Sequence, residues 1–155
     1  MQLETRQAQL FMQIFNHYVS SEFREALNEI EKWEWTTYEE YWEKYGDTKR
    51  HPDKYTTFSK VGMFYEGLGT LVREGLINVG MIAQFFGGTF IDWFEKWFPV
   101  FEGVILMSDT SEDGGRIWNI GYLYEELKKY RDENSELFKE YTGRKTIERI
   151  RQNIQ

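Results

Sequence analysis

The stretch that decides the fold is TTFSKVGMFYEGLGTLVRE, residues 56–74. Apolar and small residues recur in it every three or four positions, which is the period of one face of an α-helix. This stripe consists of Phe58, Val61, Gly62, Tyr65, Leu68, Gly69 and Val72. Met63, Phe64 and Leu71 form a second apolar edge, so we expect a central helix that neighbours cover on more than one side.

The residues before this helix predict three further helices. Residues 3–19 and 21–33 carry apolar stripes at helical spacing, and Ser20 or Ser21 can cap the second of these helices. Thr36–Thr37 followed by Glu39–Glu40 is typical of a capping box, which predicts a short third helix that ends at Gly46.

After the central helix, a short and very apolar helix is predicted from Asn78 to Phe86. We expect a break at Gly87–Gly88, with Thr89 as the cap of the next helix and a kink or restart at Pro99. A further long helix is predicted over 117–133. Because no alternation with a period of two is present over a useful length, the predicted fold is all-α. It is a single irregular helical bundle of six to seven helices.

The composition supports a bundle with an aromatic-rich core. Of the 155 residues, 41% are hydrophobic and 18% aromatic, with six Trp, ten Tyr and twelve Phe. Aromatic side chains bury large areas, but they also line ligand pockets and partner surfaces, so their number selects no function. We predict one helical domain over 1–141, followed by a basic amphipathic C-terminal tail over 142–155.

The chain is acidic, with a net charge of −7. This charge argues against nucleic acid as a partner, because phosphate neutralisation by basic residues provides most of that affinity. The tail has the opposite sign: Arg144, Lys145, Arg149 and Arg151 against Glu148 give +3, which leaves −10 for the rest. Such polarity fits head-to-tail or membrane-surface contacts, or simply a solvated helix end.

Cysteine is absent, which excludes disulfides, thiolate metal sites and cysteine nucleophiles. The longest uncharged stretch, residues 75–91, is too short for a transmembrane helix and contains Asn78, Gln84 and the glycine pair. The N-terminus lacks the pattern of a secretory signal. We expect a cytoplasmic chain without a transmembrane segment, membrane-proximal if a preceding membrane helix has been removed.

Neither histidine begins a metal-binding pattern. His17 lies beside the stripe of the first helix and His51 precedes a proline, and neither belongs to a Glu-x-x-His or zincin motif. The loop residues Asp109, Ser111, Asp113 and Gly114 resemble the opening of a calcium loop, but the twelfth position is Ile120 in place of the required glutamate. We therefore expect no metal, cofactor or catalytic residues.

Five residues are candidates for binding a small molecule. The helices on either side of the glycine break would enclose an aromatic-lined cavity with Tyr65, Trp93 and Trp97 on its walls. Glu66 or Asp92 would provide its polar anchor, provided that the carboxylate is not simply solvated or paired with a neighbouring cation. The same aromatic residues are equally compatible with an ordinary core.

Two segments, ETRQAQLFMQIFN (4–16) and FSKVGMFYEGLGTLVREGLI (58–77), resemble a family of uncharacterised prokaryotic helical domains from bacteria and archaea. An aromatic helix with Trp93 and Trp97, then Leu123–Leu127, follows in similar order, so that the resemblance covers about residues 4–130. Some members of that family carry a membrane helix before the domain. The resemblance implies a helical domain with no assigned activity, and it transfers no catalytic residue.

Two functions remain. The first is a non-enzymatic interaction module that forms a homo-oligomer or docks a helical protein partner, with Leu10, Phe11 and Ile14 of the first helix as its interface. The alternative is a small-molecule or lipid-binding sensor that uses the aromatic cavity. An enzyme ranks third, because carboxylates and tyrosines alone would have to perform the chemistry.

Overall fold

The computed structural model describes residues 2–107, 118–136 and 144–154, and this part of the chain is helical without any strand. The predicted all-α class is confirmed. The helices are α1 (Gln2–Tyr18), α2 (Ser21–Glu31), α3 (Tyr38–Tyr41), α4 (Pro52–Arg73), α5 (Val79–Phe85), α6 (Gly87–Met107), α7 (Trp118–Glu133) and α8 (Arg144–Ile154). A π-helical turn, Trp42–Gly46, extends α3. The described residues thus form eight helices, slightly more than the predicted six to seven.

Two predicted helix caps are present. Ser20 Oγ accepts a hydrogen bond from the Phe23 N–H at 3.4 Å, at the start of α2. Thr37 Oγ1 accepts from the Glu40 N–H at 3.2 Å, and Glu40 Oε2 accepts from the Thr36 N–H at 2.8 Å. The bonds from the Phe23 and Glu40 N–H groups satisfy backbone donors that the first turn of a helix leaves without partners, and the bond from Thr36 holds the residue just before the cap of α3.

The break between α5 and α6 lies one residue earlier than predicted. Phe86 separates the two helices, and both glycines belong to the first turn of α6. Thr89 is therefore the third residue of α6, and its prediction as the helix cap is wrong. Phe86 is buried and its ring stacks on that of Tyr18 at 4.4 Å, so tertiary packing fixes the site of the break. Of the predicted kink or restart at Pro99, the restart does not occur, because α6 continues through this residue on its exposed side.

The central position predicted for α4 is confirmed. Its buried residues are Val61, Gly62, Tyr65, Leu68, Gly69 and Val72, and the helix packs against α2 and α7. The closest approach is at Gly69, where an added Cβ would lie 2.0 Å from the backbone oxygen of Asn119 in α7. Only glycine permits this contact, so the small residue in the stripe sets the distance between the two helices.

The second apolar edge of α4 is not covered as predicted. Met63 is 70% exposed, and Phe64 and Leu71 are only half-buried. The ring of Phe64 lies between the helices, where His17 of α1 stacks on it at 5.0 Å. This bulky contact spaces α1 from α4 and leaves the edge open. None of the helices within the described ranges is long and apolar enough to cross a bilayer.

Candidate functional site

The candidate site is the groove between α1 and α4, which we call the α1–α4 groove. It has a volume of about 650 Å³ and opens broadly to solvent. Its lining is mainly apolar, and consists of Ile14, His17, Lys60, Met63, Phe64, Gly67, Leu68, Thr70 and Leu71. The volume lies in the range of ligand pockets, roughly 300–1,000 Å³, but the open shape suits an elongated partner better than a small enclosed ligand.

The sequence of α4 explains the shape of this groove. Met63, Gly67 and Thr70 are spaced by four and three residues, so they lie on one face of the helix. Gly67 contributes no side chain, and a Cβ added to it would meet nothing within 4 Å. The glycine therefore leaves a gap between the side chains that precede and follow it on this face.

Aromatic contacts hold the floor of the groove in place. The ring of Phe64 lies 4.7 Å from that of Phe23 and 5.0 Å from that of His17, measured between centroids. These contacts connect α4 to α1 and α2, and they are stabilised because each aromatic ring buries a large apolar area. His17, which the sequence places beside the stripe of the first helix, is a stacking partner of Phe64 at the edge of the groove.

One end of the groove carries an ion pair. Lys60 Nζ lies 2.9 Å from Glu22 Oε1, and the hydrogen bond from Lys60 lowers the pKa of the Glu22 carboxyl below its usual value. Because this cation is already paired, the groove offers little uncompensated charge to a ligand. An apolar side chain is the chemistry that the groove accommodates best.

The three predicted interface residues of α1 have different environments. Ile14 is buried and lines the groove, whereas Leu10 and Phe11 are half-buried against the core. The ring of Phe11 contacts that of Phe85 on α5 at 6.0 Å. Leu3, two turns before Leu10 on the same side of α1, is largely exposed. The role of Leu10, Phe11 and Ile14 as an interface stays a prediction.

The predicted aromatic residues form one cluster within the core. The rings of Tyr65 and Trp93 lie 4.8 Å apart and those of Trp93 and Trp97 6.1 Å apart, and all three residues are buried. Tyr65 Oη, Trp93 Nε1 and Trp97 Nε1 have no hydrogen-bond partner in the described part of the chain. Burial without a partner raises the pKa of the Tyr65 hydroxyl above its usual value of 10.

The two carboxylates that were predicted as polar anchors differ from each other. Asp92 is exposed. Glu66 accepts hydrogen bonds from the Ile120 N–H at 3.0 Å and from Asn119 Nδ2 at 2.6 Å. Ile120 is the third residue of α7, so the Glu66 carboxylate caps the N-terminus of this helix, where negative charge is favoured. This position gives Glu66 a structural role, with an amide and a backbone N–H as its partners in place of the cation that the alternative named.

A small cavity does occur at the glycine pair. Its volume is about 120 Å³, and it is lined by Ala83, Gly87, Gly88, Ile91, Leu127 and Arg131. Tyr65, Trp93 and Trp97 do not line it. A cavity of this volume lies below the range of about 300 Å³ and upward that drug-sized ligands need.

Catalytic geometry is not evident at the histidines. His51 Nε2 lies 2.9 Å from the Glu43 carbonyl oxygen, and His17 is engaged with aromatic rings. Within the ranges 2–107, 118–136 and 144–154, no three His, Asp or Glu side chains are grouped as metal ligands. The calcium-like sequence at Asp109–Gly114 lies outside the described residues.

The sequence did not predict that Met63 and Gly67 line an open groove. The signal for Met63 was its place on the second apolar edge of α4, which the sequence assigned to a covered surface. Gly67 carried no distinguishing signal, because glycine at a close helix contact and glycine at an open groove look the same in one sequence.

Comparison with known proteins gives a family but no activity. A family model described as "Domain of unknown function (DUF4760)" matches residues 5–110, more than half of the chain. No curated protein and no solved structure matches this chain.

Proposed function

The chain belongs to the DUF4760 family of unknown function, and we propose that it is a non-enzymatic interaction module that self-associates through the α1–α4 groove. The observation that carries the proposal is the open apolar surface of this groove, with Met63 70% exposed on its wall. A contiguous apolar surface of this kind is typical of an interaction site, because its burial removes apolar area from water.

The α1 stripe supports a second copy as the occupant. Ile14 lines the groove, and Leu10 and Leu3 lie one and three turns before it on the same side of α1. Contacts between identical subunits are the commonest form of assembly. Of the predicted interface residues Leu10, Phe11 and Ile14, the last belongs to the groove and therefore supports the proposal most directly.

A small-molecule sensor is the second candidate function. The observation that favours it is the set of buried polar atoms without partners, on Tyr65, Trp93 and Trp97. Buried donors usually bind a partner, and a small polar molecule could provide one. Native mass spectrometry separates the two candidates, because a retained small-molecule mass on a monomer supports the sensor and a dimer without extra mass supports the interaction module.

The cellular setting is proposed on separate grounds. The absence of cysteine is compatible with the reducing cytoplasm, where we place the protein. The resemblance to prokaryotic helical domains supports a prokaryotic source. It also suggests a position close to a membrane, if a membrane helix precedes the domain.

Gly67→Gln tests the proposal, since it fills the groove without straining the fold. The site is open, and glutamine is the better helix former. Gly121→Gln on α7 is the matched control, because a Cβ there also meets nothing within 4 Å and the residue lies outside the groove. Sedimentation velocity should show a self-associating wild type and control, and a dissociated Gly67→Gln. A wild type that stays monomeric at tens of micromolar would overturn the proposal.

A further inference from the structure

The C-terminal helix α8 has an apolar face that remains exposed among the described residues. Ile147, Ile150 and Ile154 are 48%, 54% and 79% exposed. They are spaced by three and four residues, so they form a single stripe along α8. Three large aliphatic side chains on one exposed face constitute a surface for a partner.

The charge of α8 limits what this partner can be. The helix and its flanking residues carry +3, whereas the rest of the chain carries −10. Pairing of α8 with a second α8 would bring two positive helices together. An anionic bilayer would attract α8 but repel the acidic remainder of the protein. The acidic body of a second copy attracts α8 without either penalty.

The α1–α4 groove has the chemistry and length to receive this stripe. The isoleucine stripe extends over eight residues, or about 10 Å of helix, and the groove residues on α4 span about 16 Å between Lys60 and Leu71. Both surfaces are apolar and open. An amphipathic helix in an apolar groove is a recurrent mode of recognition.

We propose that α8 of one copy lies in the α1–α4 groove of a second copy, with its isoleucine stripe against Met63 and Phe64. The inference rests on the proposed self-association, because it uses the same groove. Reciprocal exchange of α8 between two copies closes a two-fold dimer, whereas one-way exchange extends into a chain of copies. The basic face of α8 then remains toward solvent, and the net charges of α8 and of the rest of the partner copy have opposite signs.

A cysteine pair tests this contact directly, because the chain has no native cysteine. Gly67→Cys and Ile150→Cys are prepared as separate proteins and mixed under mild oxidation, so that a mixed disulfide can only join two copies. Gln152→Cys replaces Ile150→Cys in the control, since position 152 lies on the opposite face of α8. The proposal predicts a mixed disulfide for 67 with 150 at several times the yield for 67 with 152. Equal yields would overturn it.

Charge substitutions give a second, independent measurement. Ile150→Glu should raise the dissociation constant of self-association at least about tenfold, while Gln152→Glu, with the same change of charge, should alter it far less. If Gly67→Gln dissociates the wild-type assembly and Ile150→Glu does not, the groove is still the interface but the α8 proposal is wrong. If the wild type is monomeric, both proposals fail. If Ile150→Glu no longer binds phosphatidylserine vesicles but self-associates like the wild type, the partner of the α8 stripe is a membrane. This result would overturn the proposal.

Discussion

Replacing Gly69 with alanine should disrupt the packing of α4 against α7. The added Cβ would lie 2.0 Å from the Asn119 carbonyl oxygen and 2.5 Å from its carbon, both of which are backbone atoms that cannot rotate away. Ordinary contact begins at 3.4 Å, so α7 would have to move by about 1.4 Å. The hydrogen bonds from Ile120 and Asn119 to Glu66 lie at the same contact and would be stretched by this movement.

The cost can be estimated from these contacts. Overpacking typically costs about 1–3 kcal/mol, and a weakened hydrogen bond to a charged group about 1.5–3 kcal/mol. The better helix propensity of alanine offsets this loss of stability by about 1 kcal/mol. We therefore expect the free energy of unfolding to fall by about 3 kcal/mol, a large part of the total stability of a domain of this size.

Urea denaturation, followed by circular dichroism and tryptophan fluorescence, measures this change. Gly67→Ala is the matched control on the same helix, because its Cβ meets nothing within 4 Å. It should stabilise the protein by about 0.5–1 kcal/mol through helix propensity alone. A Gly69→Ala variant as stable as the wild type would refute the close approach of α4 and α7.

Three further predictions concern polar groups. Tyr65→Phe should leave stability near pH 7 unchanged or raise it by up to about 1 kcal/mol, because the hydroxyl has no partner in the described structure. Wild type should lose stability above pH 10, because burial raises the pKa of the Tyr65 hydroxyl and only the unfolded state ionises at this pH. Tyr65→Phe should lose less stability than wild type in an alkaline denaturation series. Glu66→Gln should lower the free energy of unfolding in urea by about 1–2 kcal/mol, because it removes the charge from the cap of α7; an unchanged value would argue against that cap. Hydrogen bonds from Lys44 and Thr36 lower the pKa of Glu40 to about 2. The difference in free energy of unfolding between wild type and Glu40→Gln should therefore have its full size above pH 4.5 and should be lost as the pH falls through 2. A difference of full size at pH 2 would contradict this.

Local signals in the sequence predicted most of the helical architecture. The Ser20 cap and the Thr37–Glu40 capping box depend on residues a few positions apart, and both are present. The stripe of α4 also appears where it was predicted, because burial of one helix face follows from periodicity. These features require no knowledge of which helices are neighbours.

The remaining features depend on contacts between distant segments. The break at Phe86 is set by stacking on Tyr18, which is far away in the sequence. Glycine at position 69 meets a backbone and glycine at position 67 meets solvent, although both occur in the same helix. A single sequence does not distinguish these environments.

The candidate site was only partly predictable for the same reason. Ile14 was selected as an interface residue and does line the groove, but the opposite wall, with Met63, was expected to be covered. Tyr65, Trp93 and Trp97 were expected on the walls of a ligand cavity, whereas they form one cluster in the core and do not line the cavity at the glycine pair. Whether an apolar residue lines a core or a surface depends on how closely its neighbours approach.

Sedimentation velocity over a range of concentrations, on wild type, Gly67→Gln and Gly121→Gln, measures whether the protein self-associates through the α1–α4 groove. We expect a concentration-dependent assembly for the wild type and for Gly121→Gln, and a monomer for Gly67→Gln at the same concentrations. Assembly of Gly67→Gln with wild-type affinity, or a monomeric wild type throughout, would contradict self-association through the α1–α4 groove.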